Sequence, residues 1–262
     1  MTQATITRPR HLTMCAWRWE RRKTSLLPVA ATAALFGLLG ALSGFWSYQY
    51  NQEIYVEQQM TWEAVLINGA QLPATVFLPA GMAIFAAVDA AREQRARGWQ
   101  RARSLDRAGV LLRAQALRNL ERAAVTALVF SSMILGTIVV MGFGQDLLVD
   151  GGLAVIVGRT LAAVPCYWAV GCVITAAGLW IREFSGLAVT GLLGSILAMA
   201  IRVVAPGLSG LVPFALPVNA MTAKGGDELF SYADMTGWAG IGLAWVIALY
   251  GVARWRAARM EA

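Results

Sequence analysis

The chain has 262 residues, of which 58% are hydrophobic and only 14% charged, with a mean hydropathy of +0.57. An average soluble domain is about 45–50% apolar and about 25% charged, so the excess is too large for one buried core and lipid is the default solvent. One integral membrane domain without a separate soluble module is therefore expected, and the net charge of +7 has to be explained by where the charges sit.

Three chemistries are excluded by counting. The single histidine, His11, lies outside every apolar run, which removes His-ligated haem, copper or zinc and Ser–His hydrolysis inside the membrane. Of the three cysteines, Cys15 lies in a basic segment, whereas Cys166 and Cys172 share one apolar run at i,i+6. That spacing sets them about 240° apart on a helix, where they cannot bridge. No G-x-x-x-x-G-K-[ST] sequence occurs, so no P-loop nucleotide hydrolysis is expected. No metal or cofactor is expected on this chain.

In chain order, the first element is Leu12–Lys23, a short amphipathic helix with Trp17, Glu20, Arg21, Arg22 and Lys23 before the first apolar run. Two readings are open for it: an ordinary positive anchor snorkelling to phosphates, or an elbow helix that also touches a partner. A helix needs about 20 apolar residues to cross the hydrocarbon, and six stretches qualify: Ser25–Ser47, Leu72–Ala90, Ala123–Phe143, Leu153–Ile181, Gly186–Val204 and Thr236–Ala253. The first exceeds a signal-peptide core of about 7–15 residues and lacks a clear small-x-small site, so it is expected to be retained. The fourth is long enough to be tilted or to be kinked at Pro165.

With the N-terminus inside, 19 of the 22 lysines and arginines fall on inside segments. Six precede the first span, nine lie between Arg92 and Arg122, and the rest are Arg182, Arg254, Arg256 and Arg259. Only Arg159, Arg202 and Lys224 remain outside, and both arginines are expected to snorkel from outer helix ends. By the positive-inside rule this gives an all-α membrane protein of six spans with both termini cytoplasmic. Trp46, Trp62, Trp180, Trp238 and Trp255 fall at proposed helix ends, as interfacial aromatic rings do. Arginines facing a bilayer need no nucleic acid, and none is expected as a partner.

Three stretches could carry function. Between the second and third spans, residues 91–122 are strongly basic and hold good helix formers. Val110, Leu111, Ala114, Leu117 and Leu120 recur at helical spacing, with Arg113 and Arg118 on the other face, so a short helix lying along the inner surface and leading into the third span is expected. Trp99 and Leu105 are apolar residues in a basic stretch, suited to a partner's groove; adhesion of the arginines to anionic lipid is the other reading. Residues 205–235 hold Pro206, Pro213, Phe214 and Pro217 in a stretch too broken to span. They read as an outer re-entrant hairpin that is either a substrate gate or an apolar cap. Small-residue stripes at Gly40 and Gly44 and at Gly191 and Gly194 read as helix contacts, within the chain or at a dimer seam. No intramembrane Asp/Glu chain or inverted repeat marks an ion-coupled carrier.

Together these features resemble the membrane subunit of type-2 ABC exporters. Glu20-Arg21-Arg22-Lys23-Thr24 is similar to the family's charged start after an elbow helix. Arg92-Glu93, Gly98-Trp99-Gln100-Arg101, Ser104-Leu105-Asp106-Arg107 and Leu111–Gln115 resemble its stretch around the coupling helix. The Pro-rich segment before the last span is similar to its outer re-entrant helices. Asp106 stands where the family often has proline and Gln115 where it often has lysine. Within the family, the acidic outer loop and the Gly-Trp start look most like the lantibiotic-immunity and peptide-export subgroup. The resemblance implies a plasma-membrane permease forming half of a pathway for an amphiphilic peptide or drug-like substrate. It would pair with a second or sister permease. A separate P-loop ATPase, holding ATP and Mg, would dock at Arg95, Arg97, Gly98, Trp99, Arg101, Leu105 and Arg107. Ala96-Arg97-Gly98 also resembles the signature of the coupling subunit of vitamin importers, which normally carries two such segments. A non-transporting membrane anchor or scaffold is the alternative from another class.

Overall fold

The computed structural model describes residues 9–57, 62–104, 107–149, 151–222 and 232–259. All regular structure among them is helical. Helix α1 (Pro9–Lys23) precedes α2 (Leu27–Tyr50), whose Pro28 sits in the first turn, where a missing N–H costs nothing. A short α3 (Gln52–Glu57) follows, then α4 (Trp62–Leu72), a π turn over Pro73–Phe77, and α5 (Leu78–Arg95). Next come α6 (Gly98–Ser104), α7 (Ala108–Ile138), a second π turn at Val139–Phe143, and α8 (Gly144–Val149). The chain continues through α9 (Gly152–Ala177) and α10 (Phe184–Val204). Two 3-10 turns (Pro206–Leu211 and Pro213–Ala215) lead to α11 (Leu216–Met221), and α12 (Tyr232–Arg259) is last.

Six helices, some joined through π turns, are long and apolar enough to cross a bilayer: Leu27–Tyr50, Trp62–Arg95, Ala108–Leu148, Gly152–Ala177, Phe184–Val204 and Ala233–Arg259. This is the make-up of a multi-pass membrane protein. Helix α9 is the hub, packing on α5, α7, α11 and α12. Two thirds of its apolar window is buried, against 17% for α12. Pro165 lies inside α9, and Gly242 of α12 comes so close there that an added Cβ would sit 2.9 Å from the Pro165 carbonyl carbon. The helices meet where the proline removes a backbone donor.

The structure corrects several boundaries. The helix that carries the second candidate span begins at Trp62, ahead of the expected Leu72, and within it the Asn68 amide bonds to Tyr55 (3.1 Å) and to the Ala64 carbonyl (2.8 Å). The helix expected over Val110–Leu120 forms the first part of α7 and runs without a break into the third candidate span, as its lead into that span implied. Arg118, expected on its solvated face, is 1% exposed. Trp62, expected at an interface, is fully buried against Gly152, while Trp46, Trp180 and Trp255 are exposed. The glycine stripes are used inside the chain. A Cβ on Gly40 or Gly44 would stand 2.3 Å from the Gly69 or Val65 carbonyl oxygen of α4. Gly191 meets Ala83 of α5, and Gly194 meets the Phe214 ring. All four thus serve helix contacts within the chain.

Candidate functional site

One end of the bundle is built from α1, the end of α5, α6, the start of α7 and the end of α12. Trp99, Ala108, Leu112, Ala176, Leu179, Ala253 and Ala257 form its small apolar core. Helix α1 packs along the first turns of α7, and the chain then turns at Thr24 into α2. That turn is held by two buried guanidinium groups. Arg118 donates to the Thr24 carbonyl and, at 3.2 Å, to Thr24 Oγ1. Arg122 donates to the same hydroxyl at 3.3 Å and pairs with Asp89 Oδ2 at 2.6 Å. Glu121 accepts from Arg118 (2.7 Å) and from Arg21 (3.0 Å). Lys23 bridges Glu20 (2.6 Å) and Glu93, and Arg92 donates to the Lys23 carbonyl at 3.2 Å. Charges from α1, α5 and α7 thus form one connected knot. In a poorly solvated site each charge is tolerable only because its neighbours are opposite.

Burial pushes the Glu20 carboxyl above the usual glutamate range, against the pull of Lys23. For Lys23, burial acts downward, but hydrogen bonds to Glu20 and Glu93 outweigh it and hold the ammonium above the ordinary lysine value.

The turn between α5 and α6 depends on this knot. Arg97 has a left-handed backbone (φ 53°), rare for a residue with a side chain. A Cβ on Gly98 would lie 1.9 Å from Glu93 Oε2, so only glycine lets the buried Glu93 carboxylate fold over the start of α6. Gln94 Nε2 caps the Gly178 carbonyl at 2.8 Å, tying the turn to the end of α9.

Between α1 and this turn lies an open cleft of about 690 Å³. Leu12, Cys15, Ala16 and Trp19 line it from α1, and Val110 and Leu111 from α7. Exposed Arg92, Arg101 and Arg107 edge it. The cleft thus combines apolar walls with a basic rim.

The residues singled out in the sequence divide as follows. Glu20, Lys23, Gly98, Arg101 and Arg107 meet at the cleft. Arg21 lies 5.1 Å over the half-buried Trp17 ring. Arg95 and Arg97 point to solvent, and Leu105 lies outside the described residues. Trp99, expected to enter a partner's groove, is 4% exposed and packs inside its own chain; the exposed tryptophan here is Trp19. At the other end Pro206 is exposed, Pro213 half-buried, and Phe214 and Pro217 are buried. Asp89, Glu93, Arg118, Glu121 and Arg122 were not among the expected site residues. A signal for them existed: an acid closing the second span and an arginine opening the third stand at matching depth on adjacent helices.

Comparison with family models, with curated proteins and with solved structures finds no match for this chain.

Proposed function

We propose that the chain is the membrane permease subunit of an ATP-driven ABC exporter. The observation that carries this reading is the cleft of about 690 Å³ at the basic end, between α1 and the short helix α6 that joins the second and third candidate spans. Its apolar walls and arginine rim suit a docking helix with acidic flanks. The sequence lacks a P-loop, so ATP is hydrolysed by a separate subunit that docks here, with α6 as coupling helix and α1 as elbow. The basic end faces the cytoplasm of the plasma membrane, with both termini inside, as the lysine and arginine asymmetry supports. The segment from Pro206 to Met221 is the outer re-entrant element, and its buried Phe214 supports an intramembrane position. A second or sister permease completes the pathway through a face other than the glycine stripes, and the cargo is an amphiphilic peptide or drug-like molecule.

Replacing residues 98–105 with a Gly/Ser linker should abolish co-purification with an ATPase subunit while six spans still insert. Unchanged association overturns the docking assignment. A lipid-anchoring scaffold remains the second reading, favoured by the exposed Met14 and Trp19 of basic α1. It predicts no ATPase at all and loss of membrane adhesion from charge reversal on α1.

A further inference from the structure

The opposite end of the bundle holds a second cavity, of about 320 Å³, between α4, the first π turn and α10. Its polar wall is Asn68, Gln71, Thr75 and Arg202, and its apolar wall is Leu72, Met199 and Val203. Arg202 belongs to a candidate span and stands two residues before its end. An arginine there is expected to snorkel toward water. Instead it is half-buried and turned back, donating to Thr222 Oγ1 at 3.1 Å and to Thr75 Oγ1 at 3.5 Å. No carboxylate lies within ion-pair distance of it among the described residues. An arginine near the end of a candidate span, held by hydroxyls and with no carboxylate partner among the described residues, is a candidate for function.

The rest of the wall agrees with an anionic occupant. Thr75 donates to the Gln71 carbonyl, so its hydroxyl proton is committed and its oxygen serves Arg202. The Asn68 amide nitrogen is taken up by Tyr55 and the Ala64 carbonyl. Gln71 is exposed and adds a second donor beside the guanidinium. Thr75 and Gln71 stand four residues apart on one helix face where α4 passes into the π turn at Pro73–Phe77; such turns recur at functional sites. The apolar wall continues outward through Leu72, Met199, Val203 and Val204, all exposed on the bundle's flank. The cavity therefore opens sideways, where acyl chains lie.

We propose that this cavity binds an anionic phospholipid from the leaflet opposite the basic end, its phosphate on Arg202 and Gln71 and its chain along Leu72, Met199 and Val203. The charge-assisted pair supplies the selectivity, and the open flank supplies the route. The assignment needs only that α10 lie in a bilayer and does not depend on an ATPase docking at the other end.

The test uses the full chain in non-ionic detergent, titrated with phosphatidylglycerol, phosphatidylcholine or glycerol 3-phosphate and read by native mass spectrometry. Phosphatidylglycerol should be retained about tenfold more tightly than phosphatidylcholine at one saturable site, and glycerol 3-phosphate should not compete at equal concentration. Arg202→Gln should reduce that preference to about unity, Arg202→Lys should restore part of it, and Gln71→Leu should weaken it severalfold. Gln71 has no side-chain bond within the described chain, so its variant keeps the test valid if Arg202→Gln disturbs folding. Arg182→Gln, at an exposed arginine that lines neither cavity, should leave the site intact. Equal retention of both lipids, or a preference unchanged in Arg202→Gln and Gln71→Leu, overturns the proposal. Full competition by glycerol 3-phosphate replaces the lipid with a free anion and overturns it as well.

Discussion

The two ends of the bundle solve the problem of placing charge near lipid in opposite ways. At the basic end, Arg118, Arg122, Lys23, Asp89, Glu93, Glu20 and Glu121 are tied to one another and to the Thr24 turn. At the other end, Arg159 reaches the Ala220 carbonyl of α11 at 3.3 Å and Arg202 reaches two threonine hydroxyls. Stabilisation there rests on apolar insertion: Phe214, Ala215, Leu216 and Val218 are all buried in the main core. A neutralised knot fixes geometry and leaves its outer arginines exposed. An apolar plug with sparse cations leaves a cavity beside Arg202.

The sharpest way to break this contrast is to remove one member of the buried pair. Arg122→Met leaves Asp89 inside without its cation and should destabilise the protein by about 3–5 kcal/mol. Asp89→Asn combined with Arg122→Met should recover most of the loss, because no orphan charge remains. Thermal unfolding in detergent measures both. If the double variant is as unstable as the single one, the pair acts by something other than charge compensation.

At the other end the corresponding perturbation is steric. Gly194→Ala puts a methyl group 2.7 Å from the buried Phe214 ring. It should cost about 1–3 kcal/mol through overpacking and should be insensitive to salt. Gly240→Ala in α12 is the control, since nothing lies within 4 Å of its added methyl; it should be neutral or slightly stabilising.

How far each end could be read from sequence follows from the same contrast. Apolar runs announce themselves locally, so six candidate spans and the early helix were legible, whereas the short helix at Gly98–Ser104 was suggested only by a family resemblance and not by its own residue pattern. The buried knot was not legible. Its contacts join Thr24 to Arg118 and Asp89 to Arg122 across many residues, and an arginine in a basic loop looks solvated whatever it touches. The continuity of α7 had a visible sign, the absence of proline from Ala108 to Ile138. The basic pattern of residues 110–120 nevertheless resembled a surface helix. The start of the second span was hidden because Glu63, Asn68 and Gln71 interrupt the hydrophobic run. Trp99 misled for the opposite reason: its neighbours are arginines in sequence but Leu112, Leu179 and Ala257 in the core it joins.

A smaller effect tests whether Lys23 is a true member of the knot. Its folded value lies above the ordinary 10.5. Its contribution is therefore complete below 10.5 and is lost as pH rises through the higher folded value. Wild-type Tm should fall more steeply above pH 10.5 than that of Lys23→Met. Parallel curves would detach Lys23 from the stability of the turn.

The smallest effect belongs to the rim of the knot. Arg21 pairs with Glu121 at 3.0 Å, yet half of its side chain is exposed. A pair of this kind contributes about 0–1 kcal/mol and is screened by salt. Arg21→Gln should therefore lower Tm slightly in dilute buffer and not at all near ~1 M KCl, where the Debye length falls to about 3 Å. Arg122→Met should remain costly in both, because its pair is shielded from ions by α1 and α7. If the Arg21 variant proves as costly as the Arg122 variant and equally indifferent to salt, then α1 is clamped as firmly at its surface as at its base. A docking partner would then meet a rigid wall at the cleft. If the two variants separate as expected, α1 is held at Thr24 and loose toward Leu12, and the cleft can widen from its open side without disturbing the buried pairs beneath it.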